Sequence, residues 1–580
     1  MDKFAIAAAL QEIGTLLELK GGEYFKARAY RIGARAVAEL SEDVGKLIKE
    51  NRLTFVKGIG YALAKQIEEL YTVGGSSFLN KLRAELPPGI IELANVPGLT
   101  VKRVARLHDA LGITTVEQLK AAATAGRVRH VKGFGAKTEQ KLLEAIAGHK
   151  NRERRIHLHH ALRAGERILE YLGTAPGFVQ AELGGSLRRS KETVSEIIAV
   201  ASARSPSRLI GHFLGFPLVM RVVEQTPQYC TAVLSEGFKA TLFAVKPEEF
   251  PAVLLQATGS EAHLKKLEQV AAKKKLRLTV RGLEHLTRGH AGNNARAHVI
   301  RTKSEWDIYD RLGMQCVPPE LREDEGEIEA ASKGSLPEDL ITTDDIRGMV
   351  HCHTTYSDGK HSLAQMVHAA EAMGMKYITI TDHSPTAFYA RGVKIDRLQR
   401  QWEEIDQVQE QTKVKILKGT ESDILKDGSL DYPDWILEQF DIIVASIHSR
   451  YKMDEEQMTH RVVTAMRQPV FKIWGHALGR LLQRRPPFDC RVEEVLDVIA
   501  ESRAAIEING DPYRLEMEPR WLREARQRKI KFVISTDAHS TSSLNYVKYG
   551  VGIARRGWVR RGEVLNTLGV KAFQKAVRPV

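Results

Sequence analysis

From about residue 346 to the C-terminus, apolar and polar positions alternate between two periods. Strand-length apolar runs, rich in β-branched residues, occupy Lys376–Thr381, Val414–Thr420, Ile442–Ile447, Val470–Trp474 and Ile530–Thr536. Between them, Ser362–Met373, Leu398–Gln411 and Val492–Ser502 carry apolar residues at spacings of three and four, the period of a helix. Strands alternating with helices predict a parallel sheet. Each strand-like run leads to a His, Asp or Glu: His383, Glu421, His448, His476, and the pair Asp537 and His539. A further run ends in Val350-His351-Cys352-His353, with Asp358 five residues on. Residues i and i+2 of a strand share a face, so His351 and His353 are expected to point at one ion and Cys352 the other way. Metal-binding side chains at successive strand ends predict a barrel with its site on the C-terminal rim.

The first 150 residues carry the helical period, interrupted three times by small turns: Val56-Lys57-Gly58-Ile59-Gly60, Val96-Pro97-Gly98-Leu99-Thr100 and Val131-Lys132-Gly133-Phe134-Gly135. Each leads into a helix bearing Lys65, Lys102 with Arg103, or Lys137. Glycine permits the turn, and amides at the next helix start favour a phosphate oxygen. Lys57, Gly58, Gly60, Gly98, Lys132, Gly133 and Gly135 are therefore the expected phosphate contacts. Thr100 stands where the other two turns have their last glycine, which weakens the second. Leu16–Ala38 reads as one helix in which Lys20, Lys26, Arg28, Arg31 and Arg35 interleave with Tyr24, Phe25 and Tyr30. Two readings stand equally: cations and rings for a DNA end, or a core helix with a solvated basic face. His149–Arg163 reads as a basic helical connector. Beyond it, Gly184-Gly185-Ser186 with Arg189 could cradle a triphosphate, and Thr258-Gly259-Ser260 makes another small turn before a helix.

Composition adds a partner and removes several classes. The 580 residues carry a formal charge of +14, with 43% hydrophobic and 27% charged residues, and a pI near 9.4. Such an excess of cations suits a polyanion. No uncharged apolar stretch is long enough to span a bilayer and the start lacks a leader pattern, so a cytoplasmic protein without a membrane partner is expected. Cys230, Cys316, Cys352 and Cys490 form no C-x-x-C pair, against a disulfide framework or a zinc finger.

The residues from 346 to 575 resemble the PHP (polymerase and histidinol phosphatase) domain, a distorted α/β barrel holding up to three divalent metals. The resemblance places metal ligands at His351, His353, Asp358, His383, Glu421, His448, His476, Asp537 and His539, with Glu421, His383, His448 and Asp537 closest to the chemistry. The three turns resemble helix-hairpin-helix motifs. The segments holding Gly185, Ser186, Arg189 and Gly259 resemble the nucleotidyltransferase palm and nucleotide pocket of family X DNA polymerases, and Val317–Ala330 resembles the end of their thumb. Their order is that of bacterial PolX. This implies a multidomain chain: an α-helical N-terminal DNA-binding domain (1–85), a helix-hairpin-helix fingers-like region (86–160), an α+β palm (161–270) and thumb (271–332), a linker (333–345), and a C-terminal α/β PHP domain (346–580).

Polymerisation by two metals needs three clustered carboxylates, which the family supplies as aspartates. Counting from Gly184-Gly185-Ser186, those positions fall on Glu196, Ile198 and Thr241, so metal binding at the palm is expected to fail. Gln256-Ala257 replaces the aromatic pair before Thr258, and Leu264 an asparagine. The resemblance thus implies a DNA-repair 3′ to 5′ exonuclease, with related 3′-end or abasic-site processing, that has lost polymerisation. Expected cofactors are Mn²⁺, with Zn²⁺ second. Expected partners are gapped, nicked or 3′-recessed DNA and, at the palm, a dNTP, for a monomer. Arg450 is either a contact to the scissile phosphate or a solvated arginine. The competing readings are an active gap-filling polymerase of base excision repair, a small-molecule phosphatase, and a non-catalytic DNA-binding organiser.

Overall fold

The structure, a computed structural model, describes residues 3–20, 23–38, 40, 44–73, 75–85, 93, 96, 99–151, 155–234, 237–285 and 299–580. It divides into two compact units, residues 1–155 with 217–221 and 233–238, and residues 156–216, 222–232 and 239–580.

The first unit is helical. Helices including Lys3–Lys20, Tyr24–Ala38, Tyr61–Val73, Val101–Leu111 and Ala136–Asn151 bury Leu10, Ile13, Val37, Ile67, Leu107 and Leu142 in one core. The helix expected over 16–38 is two helices, ending at Lys20 and restarting at Tyr24; the sequence between includes Gly21 and Gly22, poor helix formers. The aromatic residues divide. Tyr30 is buried and stacks on Phe78 at 6.1 Å, whereas Tyr24 and Phe25 are 52% and 83% exposed.

Two of the three turns have one design. Gly58 (φ 97°) and Gly133 (φ 91°) occupy the left-handed region. The next residues, Ile59 and Phe134, are buried and donate their N–H groups to Val56 and Val131 carbonyls at 3.0 and 2.9 Å. Gly60 and Gly135 face open space, with Lys57 and Lys132 exposed beside them. The apolar residue anchors the turn, while the following helix start stays accessible. In the second turn Gly98 lies outside the described residues; Thr100 precedes helix Val101–Leu111 without a side-chain capping bond.

In the second unit the connector expected as helix over 149–163 is broken. Ile156–His157 is a short strand paired with Thr193–Val194, and a new helix runs Leu158–Gly173. Burial of Ile156 against Val194 favours the strand. In the palm sheet Glu196–Ala203 runs antiparallel to Phe178–Leu183 and parallel to Lys239–Val245. Leu276, Leu283, Ile308, Tyr309 and Leu321 share a separate core under the thumb-like segment.

Seven parallel strands then follow in sequence order: Gly348–Cys352, Tyr377–Ile380, Lys415–Asp423, Ile442–Ser446, Lys472–Trp474, Ala504–Asn509 and Phe532–Ser535. Each adds one residue to an apolar core (Val350, Tyr377, Leu417, Ile442, Ile473, Ala505 and Val533), capped by Phe573 and Val577 of the C-terminal helix. The sheet nearly closes: beyond the first and last strands, His353 N–H donates to the Ala538 carbonyl at 2.9 Å and Ala538 N–H to that of His351 at 3.0 Å. Closure brings His351 and His353 beside Asp537 and His539.

Candidate metal centre

Each ligand-type residue stands within or just beyond a barrel strand. His351 lies in the first, His353 and Asp358 follow it, Glu421 lies within the third, and His383, His448, His476, Asp537 and His539 follow the second, fourth, fifth and seventh. The pairing of His351 with His353 does not arise from simple alternation. The first strand shifts register between Met349 and Cys352, and His351 has φ 63°. His476 and Asp537 also have positive φ, 25° and 47°. Left-handed backbone at non-glycine residues costs roughly 1–3 kcal/mol each and persists where surroundings enforce it. Cys352 is wholly buried, donates its N–H to Thr381, and belongs to none of the ligand groups.

Among the described residues, three overlapping groups could each hold an ion, with one ligand atom per residue and all such atoms in a group within 4.8 Å: His353, Asp358, His383 and His539; His351, His353 and Asp537; and His383, Glu421 and His448. His476 is outside these groups but meets Glu421 at 2.8 Å and His448 at 3.1 Å. The donor set fits cations closely. His351 Nε2, both ring nitrogens of His353, His383 Nδ1 and Glu421 Oε2 are buried without hydrogen-bond partners, a costly arrangement unless the lone pairs bind something positive.

Burial and charge pull the groups in opposite directions. Burial raises the Glu421 pKa, but His448, His351 and His383 together hold it well below the carboxylate range. Burial, with His539 and His383, pushes His353 down to about 3, a neutral ligand. Burial also lowers His448, but Glu421 and Asp423 outweigh it and bring it up to about 9. Metal binding at such a residue must displace a proton.

Supporting residues escaped sequence reasoning. Glu507, on the sixth strand, accepts from His351 Nδ1 at 2.5 Å and from the His476 backbone N–H. Asp423 accepts from His448 Nδ1 at 2.6 Å. Arg514 pairs with Asp537 at 3.2 Å, and Asp382 gathers Thr354, Ser357 and Gln401. Asp423 was accessible from sequence, since it shares a strand face with Glu421. Arg450 is exposed, with φ 58°.

The palm differs in kind. Ile198 lies opposite Thr241 across the parallel strands and packs on Gly184 and Gly185. Thr241 donates to Glu196 at 3.1 Å, so the single carboxylate of the three expected positions bonds a hydroxyl. Arg189 is engaged by Glu323 at 2.8 Å and the Thr258 carbonyl at 2.6 Å. Gly185 has φ 62° and opens the short helix Gly185–Arg188, in which Ser186 is half-buried, and Gly259 closes the helix that presents Thr258.

Comparison with known proteins bears on both sites. Residues 350–511 match the PHP domain, residues 253–323 the DNA polymerase beta thumb, residues 1–75 a helix-hairpin-helix domain and residues 90–147 a SAM-like helix-hairpin-helix tandem. The barrel and its rim are thus a PHP domain, a class of metal-dependent domain. A Bacillus subtilis (strain 168) protein named "DNA polymerase/3′-5′ exonuclease PolX" is 33% identical over 575 residues, 98% of each chain. The chain belongs to the PolX family, bacterial family X DNA polymerases with a C-terminal PHP domain. A "probable phosphatase" of Thermoanaerobacter sp. (strain X514) is 26% identical over 234 residues, 37% of this chain and 89% of its own. A ternary complex of Leishmania infantum polymerase beta aligns at 21% identity over 40% of this chain and 97% of its own, with a TM-score of 0.27. Among the described residues no helix is long and apolar enough to cross a membrane.

Proposed function

We propose that this chain is a DNA-repair phosphodiesterase: a 3′ to 5′ exonuclease with related 3′-end and abasic-site processing, carried by a polymerase frame that no longer polymerises. The observation that carries this reading is the rim of overlapping ligand groups whose buried donor atoms include several without a hydrogen-bond partner. His351, His353, Asp358, His383, Glu421, His448, His476, Asp537 and His539 would hold divalent cations. Mixed imidazole and carboxylate ligands favour Mn²⁺, with Zn²⁺ second, over Mg²⁺. When bound, such ions supply Lewis-acid charge to a phosphodiester and acidify water.

The protein's own residues prepare that site. Glu507 and Asp423 accept hydrogen bonds from His351 Nδ1 and His448 Nδ1, which leaves each Nε2 facing Glu421. Arg514 fixes Asp537. Glu421 touches His351, His353, His383, His448 and His476, which makes it the residue best placed to join neighbouring ligand groups; with His383, His448 and Asp537 it forms the proposed catalytic set.

Substrates under this reading are gapped, nicked or 3′-recessed DNA, engaged through Lys57, Gly58, Gly60, Gly98, Lys132, Gly133 and Gly135, by a cytoplasmic monomer. The Bacillus relative's name includes polymerase activity, but here Ile198 contributes no ligand and Thr241 no charge beside Glu196. Gly185, Ser186, Arg189 and Gly259 would at most retain a dNTP. The test is substitution at the rim: His353→Ala and Asp537→Ala each reduce Mn²⁺-dependent DNA hydrolysis at least a hundredfold, while binding to gapped DNA persists. Nuclease rates unchanged in both variants would refute the assignment.

A further inference from the structure

The segment after His383 forms an unusual piece of surface. Ala387 and Ala390 are buried at 0% and 1% exposure, whereas Phe388 and Tyr389 between them are 80% and 66% exposed. Two large rings held in water cost hydrophobic free energy that scattered polar residues would avoid.

The turn is firmly tethered. Thr386 donates its N–H and hydroxyl to Asp431 at 2.7 and 3.0 Å, and approaches Asp423 at 3.2 Å. Ala390 N–H bonds the Ala387 carbonyl at 3.0 Å, and Val393 N–H returns to the His383 carbonyl at 2.8 Å. Both flanks are thereby tied to the metal centre, one through His383 and the other through Asp423, the carboxylate that orients His448. The Tyr389 ring lies 6.0 Å from the His383 ring and 6.1 Å from that of His448. The exposed Arg391 follows in a left-handed conformation, φ 57°.

Exposed rings beside a cation, fixed at the edge of a phosphate-reactive centre, have the composition of a single-strand stacking platform. We propose that Phe388 and Tyr389 receive the terminal nucleobase of the strand being hydrolysed, placing its phosphate over the His383 and His448 side of the centre. This rests on the reading of that centre as a phosphodiester-hydrolysing site. Stacking suits any base, because every base has a π face, so the platform supplies affinity for strand ends without sequence preference.

The test compares Mn²⁺-dependent hydrolysis of oligonucleotides whose 3′-terminal nucleotide either bears a base or is abasic. The wild type favours the base-bearing end in kcat/KM by about tenfold. Phe388→Ala brings that ratio near one, chiefly through KM, and Phe388→Trp retains it. A ratio that stays about tenfold in Phe388→Ala, or one already near unity in the wild type, overturns the platform while leaving the hydrolytic centre standing. Full hydrolysis by His353→Ala would instead remove the centre, and the platform with it.

Discussion

His351 presents Nε2 to the rim only because Glu507 holds its other nitrogen, and the same carboxylate accepts the backbone N–H of His476. One buried acid thus orients two proposed ligands. Glu507→Gln keeps the side-chain volume but removes the charge, and it is expected to lower Mn²⁺ affinity by about ten- to a hundredfold. Metal titration followed by calorimetry reads this directly, and unchanged affinity would show that Glu507 serves only the barrel core. Sequence reasoning had no purchase on this residue. Glu507 sits inside its strand rather than at the end, and Ala504 and Ala505 ahead of it favour helix as readily as strand. His351 itself was found for a reason only half right, because the register shift and positive φ, rather than alternation, bring it together with His353.

At the scale of elements, five of the seven barrel strands stood out as apolar runs ending at a ligand-type residue, and the first as the run before His351. These runs are readable because both faces of a parallel barrel strand are buried, which selects continuous β-branched sequence. The breaks at 16–38 and 149–163 were hidden. Helical period persists across a short interruption, and the pairing of Ile156 with Val194 is a tertiary event. The helix-hairpin-helix turns were accessible because glycine at positive φ leaves a mark in sequence. Their expected role is measurable: Lys57→Ala and Lys132→Ala each weaken binding to gapped DNA and each lower the slope of log affinity against log salt by about 1. An unaltered slope would mean that these turns do not meet phosphate.

At the scale of the whole molecule, the barrel and the palm residues 161–216, 222–232 and 239–270 belong to one compact unit. Arg556 of the barrel donates to Glu192 of the palm at 2.7 Å, and Arg555 to Glu320 at 2.7 Å. The same junction gathers imidazoles: the half-buried His157 and the buried His159 each lie 5.1 Å from Tyr513. Burial, with His160 and His157 adding to it, lowers His159 to about 2, and burial with Arg163 lowers His160 to about 4. Between about pH 6.5 and 4 both are neutral in the folded protein, while the unfolded chain takes up protons below about 6.5. Stability is therefore present above pH 6.5 and is lost as pH falls from 6.5 toward 4, at up to about 1.4 kcal/mol per pH unit for each residue. Urea unfolding of the second unit across this range should show the decline, and His160→Phe should flatten it. An equal decline in the variant would place the acid sensitivity elsewhere.

On the proposed reading, one chain joins a PHP rim whose ligand-type residues are brought together to a palm in which Ile198 and Thr241 occupy two of the three positions expected to carry carboxylates. The most direct measurement is a denaturing gel of a 5′-labelled primer opposite a one-nucleotide gap, incubated with Mn²⁺ in the presence and absence of dNTPs. Products shorter than the primer under both conditions are predicted. A product one nucleotide longer when dNTPs are present would contradict this reading of Glu196, Ile198 and Thr241, because the palm would then have to find its metal-binding carboxylates elsewhere.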